Sequence, residues 1–578
     1  MTGIAGPQIS AVISSVRSDS VVHRQRALAM ARFRLLWVLI GFAALAFIAL
    51  ARLTQLGFAA GDRGNGAAGM AVDRGDIVDR NGVPLARAFP AYSLWFNPNA
   101  LHGGPALVKS PREVAEALVR IFPDENVDDL TRRLAAGKPG YLKRRILPED
   151  ANRIHALGEP ALEFPRENER YYPQGSMAAH VLGYVDSDGH GQVGMEKVFD
   201  HQLTDPVTRG NPLVLSIDAR VQGVLEDELA KGLARAQAKS AGGIIMDVET
   251  GEVLALASLP SFNPNLIDRQ GSEHAFNLVV SQPYELGSVI KPITVATAIE
   301  AGVITSMARR YPAGKPLSIA GFEIHDDENF GDSLNIPEAL IHSSNIVLAQ
   351  VGDQLGATRL RTAMEKLGFA ERPYIELPAR GLPRFPHADH GEWSRVTTMT
   401  ASFGHGFAIT PLHLACAYAA LVNGGIWHPA TLQKLAPAQA PAGRRVFSAA
   451  TSARMRQLLR VIVEVGTGRS ANAPGFRVGG KTGTAERSDR FGYHRDQVVA
   501  TFASAFPMDH PRYVVIAMLD TPQANAATSY QRTAAWNSAP IVGRVVPRVG
   551  PLLGIMPDQT RDIDISDLKP LIANGDGE

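Results

Sequence analysis

The sequence is short of cysteine and of net charge, and each shortage excludes a class of protein. Among 578 residues the single cysteine is Cys416, so an intrachain disulfide and a cysteine-rich metal site are excluded. Lysine and arginine together number 58 against 57 acidic residues, and this near balance gives no electrostatic support for a nucleic-acid partner. The fold must therefore be stabilised by packing, and the chain is long enough for two or more domains with their own cores.

Long apolar runs are scarce as well, and the chain has one, LLWVLIGFAALAFIALA over residues 35–51. Its length is near the ~17-residue lower limit of a membrane-spanning helix and exceeds the ~7–15 residues usual in a signal peptide. Ala49-Leu50-Ala51 offers the alternative, a cleavage site. We favour an uncleaved transmembrane helix over residues 35–56. The arginine-rich residues 1–34 then form a cytoplasmic tail, with the bulk of the chain outside.

The remainder divides where the character of the sequence changes. A glycine-rich linker opens residues 57–210, which mix short predicted strands and helices. Beyond them come two apolar strands around a Thr-Gly turn, a helical block, and two further predicted strands at 498–506 and 513–520. This order predicts an α+β domain over residues 211–558, with an antiparallel sheet flanked by helices. We expect the polar tail, residues 559–578, to be peripheral.

The stretch YELGSVIKP sets Ser288 and Lys291 three positions apart. On a helix these two residues share a face, so the amine can lie beside the hydroxyl. Gly287 permits a sharp entry, and Pro292 fits only if the helix begins at or near Ser288. A serine at a helix N-terminus beside an amine describes an activated nucleophile, and it equally describes an ordinary capping serine.

Two further motifs follow in the chain. IHSSNIV holds Ser343 and Asn345, and GGKTGTAE holds Lys481 and Gly483, where the missing side chain lets a substrate backbone approach a strand edge. Each motif alone is as common as a helix cap or a turn. In this order, S-x-x-K, S-x-N and K-T-G form the signature of penicillin-binding proteins and serine β-lactamases.

The chain resembles the class B penicillin-binding proteins of the septal, FtsI-like type over most of residues 35–520. Segments typical of the family occur in its order: RGDIVDRNGVPLA, RYYPQGSMAAHVLGY, GMEKVFD, LSIDARVQ, DVETGEVLALASLPSFNPN, YELGSVIKP, SSN, SFGHGFAITPLHLACAYAALVNGG and GGKTGTAE. Leu286 stands where the family usually has proline, and Ser281-Gln282 replace a commoner polar-acidic pair. The resemblance implies a transmembrane helix, a non-catalytic pedestal module over residues 57–210 and a penicillin-binding/serine β-lactamase-like transpeptidase domain.

The resemblance also implies a mechanism. Ser288 attacks the carbonyl between the two terminal D-alanines of a peptidoglycan stem peptide. Lys291 is the candidate base, because burial and the nearby Lys481 both lower the pKa of its amine. Ser343 relays the proton to the departing D-alanine, and Asn345 orients Lys291 and the substrate amide.

The K-T-G segment is implied to hold the substrate. Lys481, Thr482 and Thr484 bind its terminal carboxylate, and the stem peptide lies along the strand past Gly483. The backbone N–H groups of Ser288 and Thr484 receive the oxyanion. β-Lactams mimic the D-Ala-D-Ala amide and remain attached to the serine. No metal or organic cofactor is required.

Partners and location follow from the same resemblance. We expect a single-pass protein of the bacterial inner membrane with a periplasmic catalytic domain, working with a membrane-embedded peptidoglycan glycosyltransferase and other divisome proteins. The alternatives are an elongation-type class B transpeptidase and a β-lactam-binding sensor or scaffold. A class A β-lactamase is disfavoured because no E-x-x-x-N element lies between Asn345 and Lys481.

Other clusters favour ordinary structure. HDDEN (325–329) and HADH (387–390) lack the spacing of metal ligands, so solvated loops are the better prediction. Cys416 lies in the apolar run LHLACAYAAL, which favours a packed thiol over a reactive one.

Overall fold

A computed structural model describes residue 36 and residues 39–47, 74–100, 104–186, 188–267, 273–386, 393–436, 439–489 and 492–572. The chain forms two compact units, Met1–Met70 and Ala71–Glu578. In the first unit the described residues are helical. Across the described residues, no helix combines the length and the apolar character needed to cross a membrane. The predicted cytoplasmic tail and most of the predicted transmembrane helix lie outside the described residues.

The first part of the second unit, residues 74–214, is a mixed module around a small sheet. Its strands are β1 (Ile77–Val78), β2 (Pro84–Phe96), β3 (Gly140–Ile146), β4 (Leu162–Glu163), β5 (Arg166–Tyr171) and β6 (Leu213–Val214). Its described helices are α1 (Pro111–Ile121), α2 (Val127–Ala135), α3 (Pro148–His155), α4 (Ala179–Leu182), α5 (Gly194–Val198) and α6 (Asp200–Thr204). The sheet order is β3-β2-β1-β6, with β4 and β5 also paired to β2.

A buried ionic cluster ties the start of this module to its end. The carboxylate of Glu196 accepts hydrogen bonds from Arg74 Nε and Arg170 Nε, both at 2.6 Å, and from the Tyr172 hydroxyl at 3.2 Å. Arg74 also donates to Asp200 at 2.7 Å. Because the charges are paired and hydrogen-bonded, their burial is tolerated in the module core.

The second part of the unit is built on a larger sheet. The strands here are β7 (Ser240–Asp247), β8 (Val253–Leu259), β9 (Tyr311–Pro312), β10 (Leu317–Ile319), β11 (Phe322–Ile324), β12 (Ser333–Leu334), β13 (Ile426–Trp427), β14 (Arg444–Arg445), β15 (Gly479–Asp489), β16 (Gly492–Phe506) and β17 (Tyr513–Asp520). Five of them form the large sheet, in the order β15-β16-β17-β7-β8. Every neighbouring pair in the large sheet is antiparallel, as predicted. The bounds of β17 agree with the prediction, whereas β16 begins earlier than predicted.

Helices cover both faces of this sheet. The described ones are α7 (Ala219–Ala236), α8 (Leu278–Ser281), α9 (Lys291–Glu300), α10 (Ile336–Ile341), α11 (Asn345–Leu355), α12 (Ala357–Lys366), α13 (Arg395–Ser402), α14 (Pro411–Val422), α15 (Ala449–Val465), α16 (Ser538–Leu552) and α17 (Lys569–Ile572). Alternate strand residues point to opposite faces, so Ile245 and Val515 pack with α7 and α16, while Ile244 and Ile516 join the core of the remaining helices. Two covered faces explain the nearly unbroken apolar strands.

Helix α14 lies inside the helical layer. All of its residues are buried, which is the expected position of a helix that is apolar on every side. Cys416 on this helix is 5% exposed, and burial raises the pKa of its thiol to about 12. The prediction of a packed thiol is confirmed.

Residues 559–572, the described part of the predicted tail, are not peripheral, contrary to the prediction. Leu568 is fully buried and Ile565 is 6% exposed, and both belong to the main hydrophobic core. The prediction was wrong because sparse apolar residues in a polar stretch give no periodic pattern. The predicted domain boundaries at residues 57, 211 and 559 stay predictions.

Candidate active site

Ser288 lies on a short turn that leads into α9. Residues Gly287–Ile290 form a 3₁₀ turn and the α-helix begins at Lys291, with Pro292 in its first turn. The predicted helix start near Ser288 is therefore confirmed, with a tighter first turn than expected. Gly287 has φ +61, which a residue with a side chain rarely adopts. Ser288 is half-buried between buried neighbours, so the residue is partly open to solvent.

Three contacts hold this turn from the helical layer. The Tyr418 hydroxyl on α14 donates to the carbonyl of Val289 at 2.8 Å. One turn into α9, the Thr294 hydroxyl donates to the carbonyl of Ser402 at 2.7 Å. Gly404 lies against the turn so closely that a Cβ there would be 2.0 Å from the carbonyl oxygen of Gly287. The position of Ser288 is therefore fixed by rigid, buried elements.

Lys291 points into the protein and is fully buried. Its Nζ donates to the backbone carbonyl of Ser343 and lies 3.1 Å from the Ser343 hydroxyl. Burial lowers the pKa of Lys291 to about 7, against the opposing charges of Asp326 and Asp327. At neutral pH this amine is therefore available in its uncharged form, as a proton acceptor requires.

Lys481 reaches the same hydroxyl from β15. Its Nζ lies 2.9 Å from Ser343 Oγ and donates to the carbonyl of Thr482 at 3.0 Å. The amine is fully buried, and burial together with the charge of Lys291 holds the pKa of Lys481 well below its usual range. Two amines in contact with one hydroxyl cannot both be charged without strong repulsion, so the site can store and move a proton.

The loop that carries Ser343 is held in a special conformation. Ser343 has φ +62, in the left-handed region, and the next residue, Ser344, caps α11 by accepting from the N–H of Val347 at 3.1 Å. Strained backbone of this kind persists where its surroundings enforce it. Here the enforcing contacts are the two lysines on one side and the start of α11 on the other.

Asp326 is a residue of the site that the sequence reasoning missed. Its carboxylate accepts from the Ser344 hydroxyl at 2.6 Å and from the backbone N–H groups of Asn345 and Ile346 at 2.5 and 3.0 Å. The prediction of a solvated loop at 325–329 is therefore wrong for Asp326, which is half-buried. An acidic residue suits a helix N-terminus, but no pattern links it to a helix that begins 19 positions later.

Asn345 has a different partner from the one expected. Its side-chain nitrogen donates to the carbonyl of His325 at 2.9 Å, so the asparagine is tied to the same loop as Asp326. The predicted contact with Lys291 is replaced in this structure by the contact of Lys291 with Ser343. The other loop considered, HADH at 387–390, lies outside the described residues.

The K-T-G segment lies on β15, the edge strand of the large sheet. Gly483 faces the turn that carries Ser288, and a Cβ there would be 2.4 Å from the carbonyl oxygen of Leu286. The glycine is therefore needed for close contact within the protein, and the approach of a substrate backbone along this strand stays a prediction. Thr482 Oγ1 lies 2.8 Å from Thr467 Oγ1, and Thr484 Oγ1 accepts from the N–H of Ala534 at 3.0 Å. Both hydroxyls are thus oriented by neighbouring segments.

Taken together, the described residues form one site from three distant parts of the chain. It combines a half-buried serine, two buried amines joined by the hydroxyl of a second serine, and a strand edge whose outer backbone groups can pair with an extended peptide. This equipment suits nucleophilic attack on an amide carbonyl followed by proton transfer to the leaving amine.

Two family models match the chain. The penicillin binding protein transpeptidase domain matches residues 241–541, and the penicillin-binding protein dimerisation domain matches residues 70–205. The first contains the three motifs, and the second covers most of the mixed module described above.

Relatives cover nearly the whole chain. A protein of Caulobacter vibrioides named probable peptidoglycan D,D-transpeptidase FtsI is 36% identical over 575 residues, which are 96% of this chain and 95% of that protein. Peptidoglycan D,D-transpeptidase FtsI of Escherichia coli K12 is 30% identical over 515 residues, 85% of each chain. The solved structure of penicillin binding protein 3 from Mycobacterium tuberculosis, complexed with ampicillin, has a TM-score of 0.67 at 26% identity, covering 86% of this chain and 99% of that one. The chain belongs to the class B penicillin-binding proteins, and within them to the FtsI-like type.

Proposed function

We propose that the protein is a peptidoglycan D,D-transpeptidase of septal cell-wall synthesis, which cross-links stem peptides through an acyl-enzyme on Ser288. One observation carries the proposal: the amines of Lys481 and of Lys291, which directly follows the turn that carries Ser288, converge on the hydroxyl of Ser343. The relatives named peptidoglycan D,D-transpeptidase FtsI support both the substrate class and the septal role.

Acylation begins with Ser288 Oγ attacking the carbonyl between the terminal D-alanines, while its proton passes to the uncharged amine of Lys291. The tetrahedral intermediate then collapses as its C–N bond breaks. Ser343, in contact with both lysines, passes a proton to the departing D-alanine amine. An amine of a neighbouring stem peptide attacks the resulting ester, forming the cross-link and returning the proton to Ser288.

The substrate lies along the outer edge of β15. Lys481, Thr482 and Thr484 hold its terminal carboxylate, and the backbone N–H groups of Ser288 and Thr484 stabilise the oxyanion. Gly483 keeps the strand against the turn, so these donors and the nucleophile keep a constant separation. A β-lactam enters the same cleft and acylates Ser288 as its ring C–N bond breaks; the leaving nitrogen stays tethered to the acyl group, so nothing departs to admit an acceptor amine and the adduct remains attached.

The apolar run at residues 35–51 and the arginines before it support a single-pass protein of the bacterial inner membrane with a periplasmic catalytic domain. A membrane-embedded peptidoglycan glycosyltransferase and other divisome proteins are the proposed partners. Residues 57–210, the predicted pedestal, would supply the surfaces for them.

Replacing the nucleophile tests the reaction directly. Ser288→Ala should abolish labelling by a fluorescent penicillin and lower D-alanine release by at least about 10³-fold, because no other group forms the acyl-enzyme. The measurements are gel fluorescence and D-alanine release with purified protein, with Ser306→Ala, an exposed serine, as control. Equal D-alanine release by the native protein and Ser288→Ala would contradict the enzymatic function and favour a sensor or scaffold.

The pH dependence tests the role of Lys291. Its amine accepts a proton only when uncharged, and its pKa is about 7, so acylation should slow as pH falls below about 7 and level off above it. The second-order rate constant of acylation by penicillin, measured from pH 5 to 9, checks this. A rate that stays constant through that range would show that another group is the base.

The hydrogen bonds that Asp326 accepts from the S-x-N loop predict that the rate of acylation depends on them. Asp326→Ala removes the acceptor for Ser344, Asn345 and Ile346 and should slow acylation about tenfold or more, whereas Asp326→Asn retains part of the contact and should slow it less. Asp327→Asn, which removes the neighbouring charge alone, is the matched control. Similar losses in Asp327→Asn and Asp326→Ala would attribute the effect to charge and contradict the prediction.

The septal role separates this proposal from an elongation-type enzyme. A fluorescently labelled copy expressed in its own cells should collect at the division site, and a catalytically inactive copy should do the same. Signal confined to the side wall through the division cycle would favour the elongation-type alternative.

A further inference from the structure

Residues 558–572, here called the C-terminal strap, cross one face of α15. Three side chains of that helix, spaced three residues apart, meet it there. Arg454 pairs with Asp567 at 2.6 Å, Gln457 donates to the carbonyl of Asp564 at 2.6 Å, and Arg460 binds the carboxylate of Asp562. With Leu568 fully buried, the strap is a fixed part of the domain.

Arg460 connects the strap to the K-T-G strand by hydrogen bonds. Its Nε lies 3.0 and 2.9 Å from the two carboxylate oxygens of Asp562, and a second nitrogen lies 2.6 Å from one of them. The remaining nitrogen, Nη1, donates to the carbonyl of Val478 at 3.1 Å, in the buried interior. Val478 directly precedes β15, three residues before Lys481. One guanidinium therefore links the strap to the start of the strand that carries the second active-site lysine.

Helix α15 and strand β15 are closely packed at this point. A Cβ on Gly479, the first residue of β15, would lie 3.0 Å from the backbone nitrogen of Arg460. The side chain of Arg460 is only 8% exposed, whereas that of Asp562 is 34% exposed, so the bond to Val478 is shielded from water and the bonds to Asp562 are only partly shielded. A shift of Arg460 would therefore move the start of β15 with it.

The other end of the strap contacts the start of α10, the helix that precedes the S-x-N element. The carbonyl of Leu571 accepts from the side-chain nitrogen of Asn335 at 2.8 Å. Asn335 caps α10 by accepting from the N–H of Glu338 at 2.9 Å, and α10 leads directly to Ser343. The same segment thus contacts the supports of both partners of the Lys481–Ser343 hydrogen bond, whose residues lie 138 positions apart.

We propose that the C-terminal strap positions the S-x-N loop and the K-T-G strand relative to each other, with Asp562 acting through Arg460 as a positioning residue for Lys481. The inference rests on the proposed acylation of Ser288. The Lys481–Ser343 contact joins two elements that neither share a strand nor follow one another, so their separation depends on contacts elsewhere in the domain, and the strap supplies some of these beside the local contacts of Thr467 with Thr482 and Ile341. A misplacement of ~1 Å in such a constellation lowers rates by about 10²-fold.

The test compares two carboxylates of the strap in the full-length protein. Asp562→Asn weakens the fork to Arg460, and Asp567→Asn weakens the ion pair of Arg454, on the same strap and the same helix. We expect Asp562→Asn to slow acylation by penicillin about tenfold or more and Asp567→Asn to stay within about twofold. Melting temperatures are measured alongside, and Asp562→Glu, which restores a carboxylate, should recover part of the rate.

A second variant tests the contact at the other end of the strap, and it replaces the first test if Asp562→Asn does not fold. Asn335→Asp keeps the cap of α10 but removes the donor to Leu571, and it should also slow acylation while penicillin still labels Ser288. Unchanged acylation in both variants overturns the proposal, as does a loss in Asp567→Asn equal to that in Asp562→Asn at a matched fall in melting temperature. Labelling that persists in Ser288→Ala would instead overturn the proposed function.

Discussion

Two buried amines share one hydroxyl, and much of the catalytic domain is arranged to permit that contact. An isolated lysine is costly to bury in its charged form, and a second lysine beside it adds repulsion. The contact of Lys291 and Lys481 with Ser343 is therefore stable only if the pair gives up part of its charge. An uncharged lysine amine can accept a proton at neutral pH. The burial that makes the charged lysines unfavourable is therefore also what allows them to act as bases.

The surrounding layers explain how such a contact is maintained. Lys291 belongs to the helical layer and Lys481 to the sheet, so their separation depends on how the two layers pack. Along that boundary the backbones of the two layers are in close contact, because the turn at Gly287 lies between Gly404 of the helical layer and Gly483 of the strand. Close-packed interiors deform little, so side chains placed on either side keep their geometry.

Local patterns made much of this predictable. The turn before α9, the strands β7, β8 and β17, and the buried thiol of Cys416 follow from residues next to one another in the chain. Asp326, the strap and the partner of Asn345 depend on contacts across tens of residues or more, for which a single sequence has no periodic signal. Gly483 lies between the two cases: the motif predicts a glycine at a strand edge, whereas its close packing against Leu286 is a contact that only the fold shows. The motif located the site, and the fold determined which atoms meet there.

The glycine contacts also restrict how this protein can change under antibiotic pressure. Enlarging a residue inside a binding cleft is a common way to exclude an inhibitor, yet added bulk at Gly483 or Gly404 would strike the protein's own backbone before it reached a drug. Natural variation that spares the enzyme must then arise farther out, in the loops and helices that support these strands. Selection for resistance should accordingly leave Gly404 and Gly483 unchanged and alter the residues that surround them.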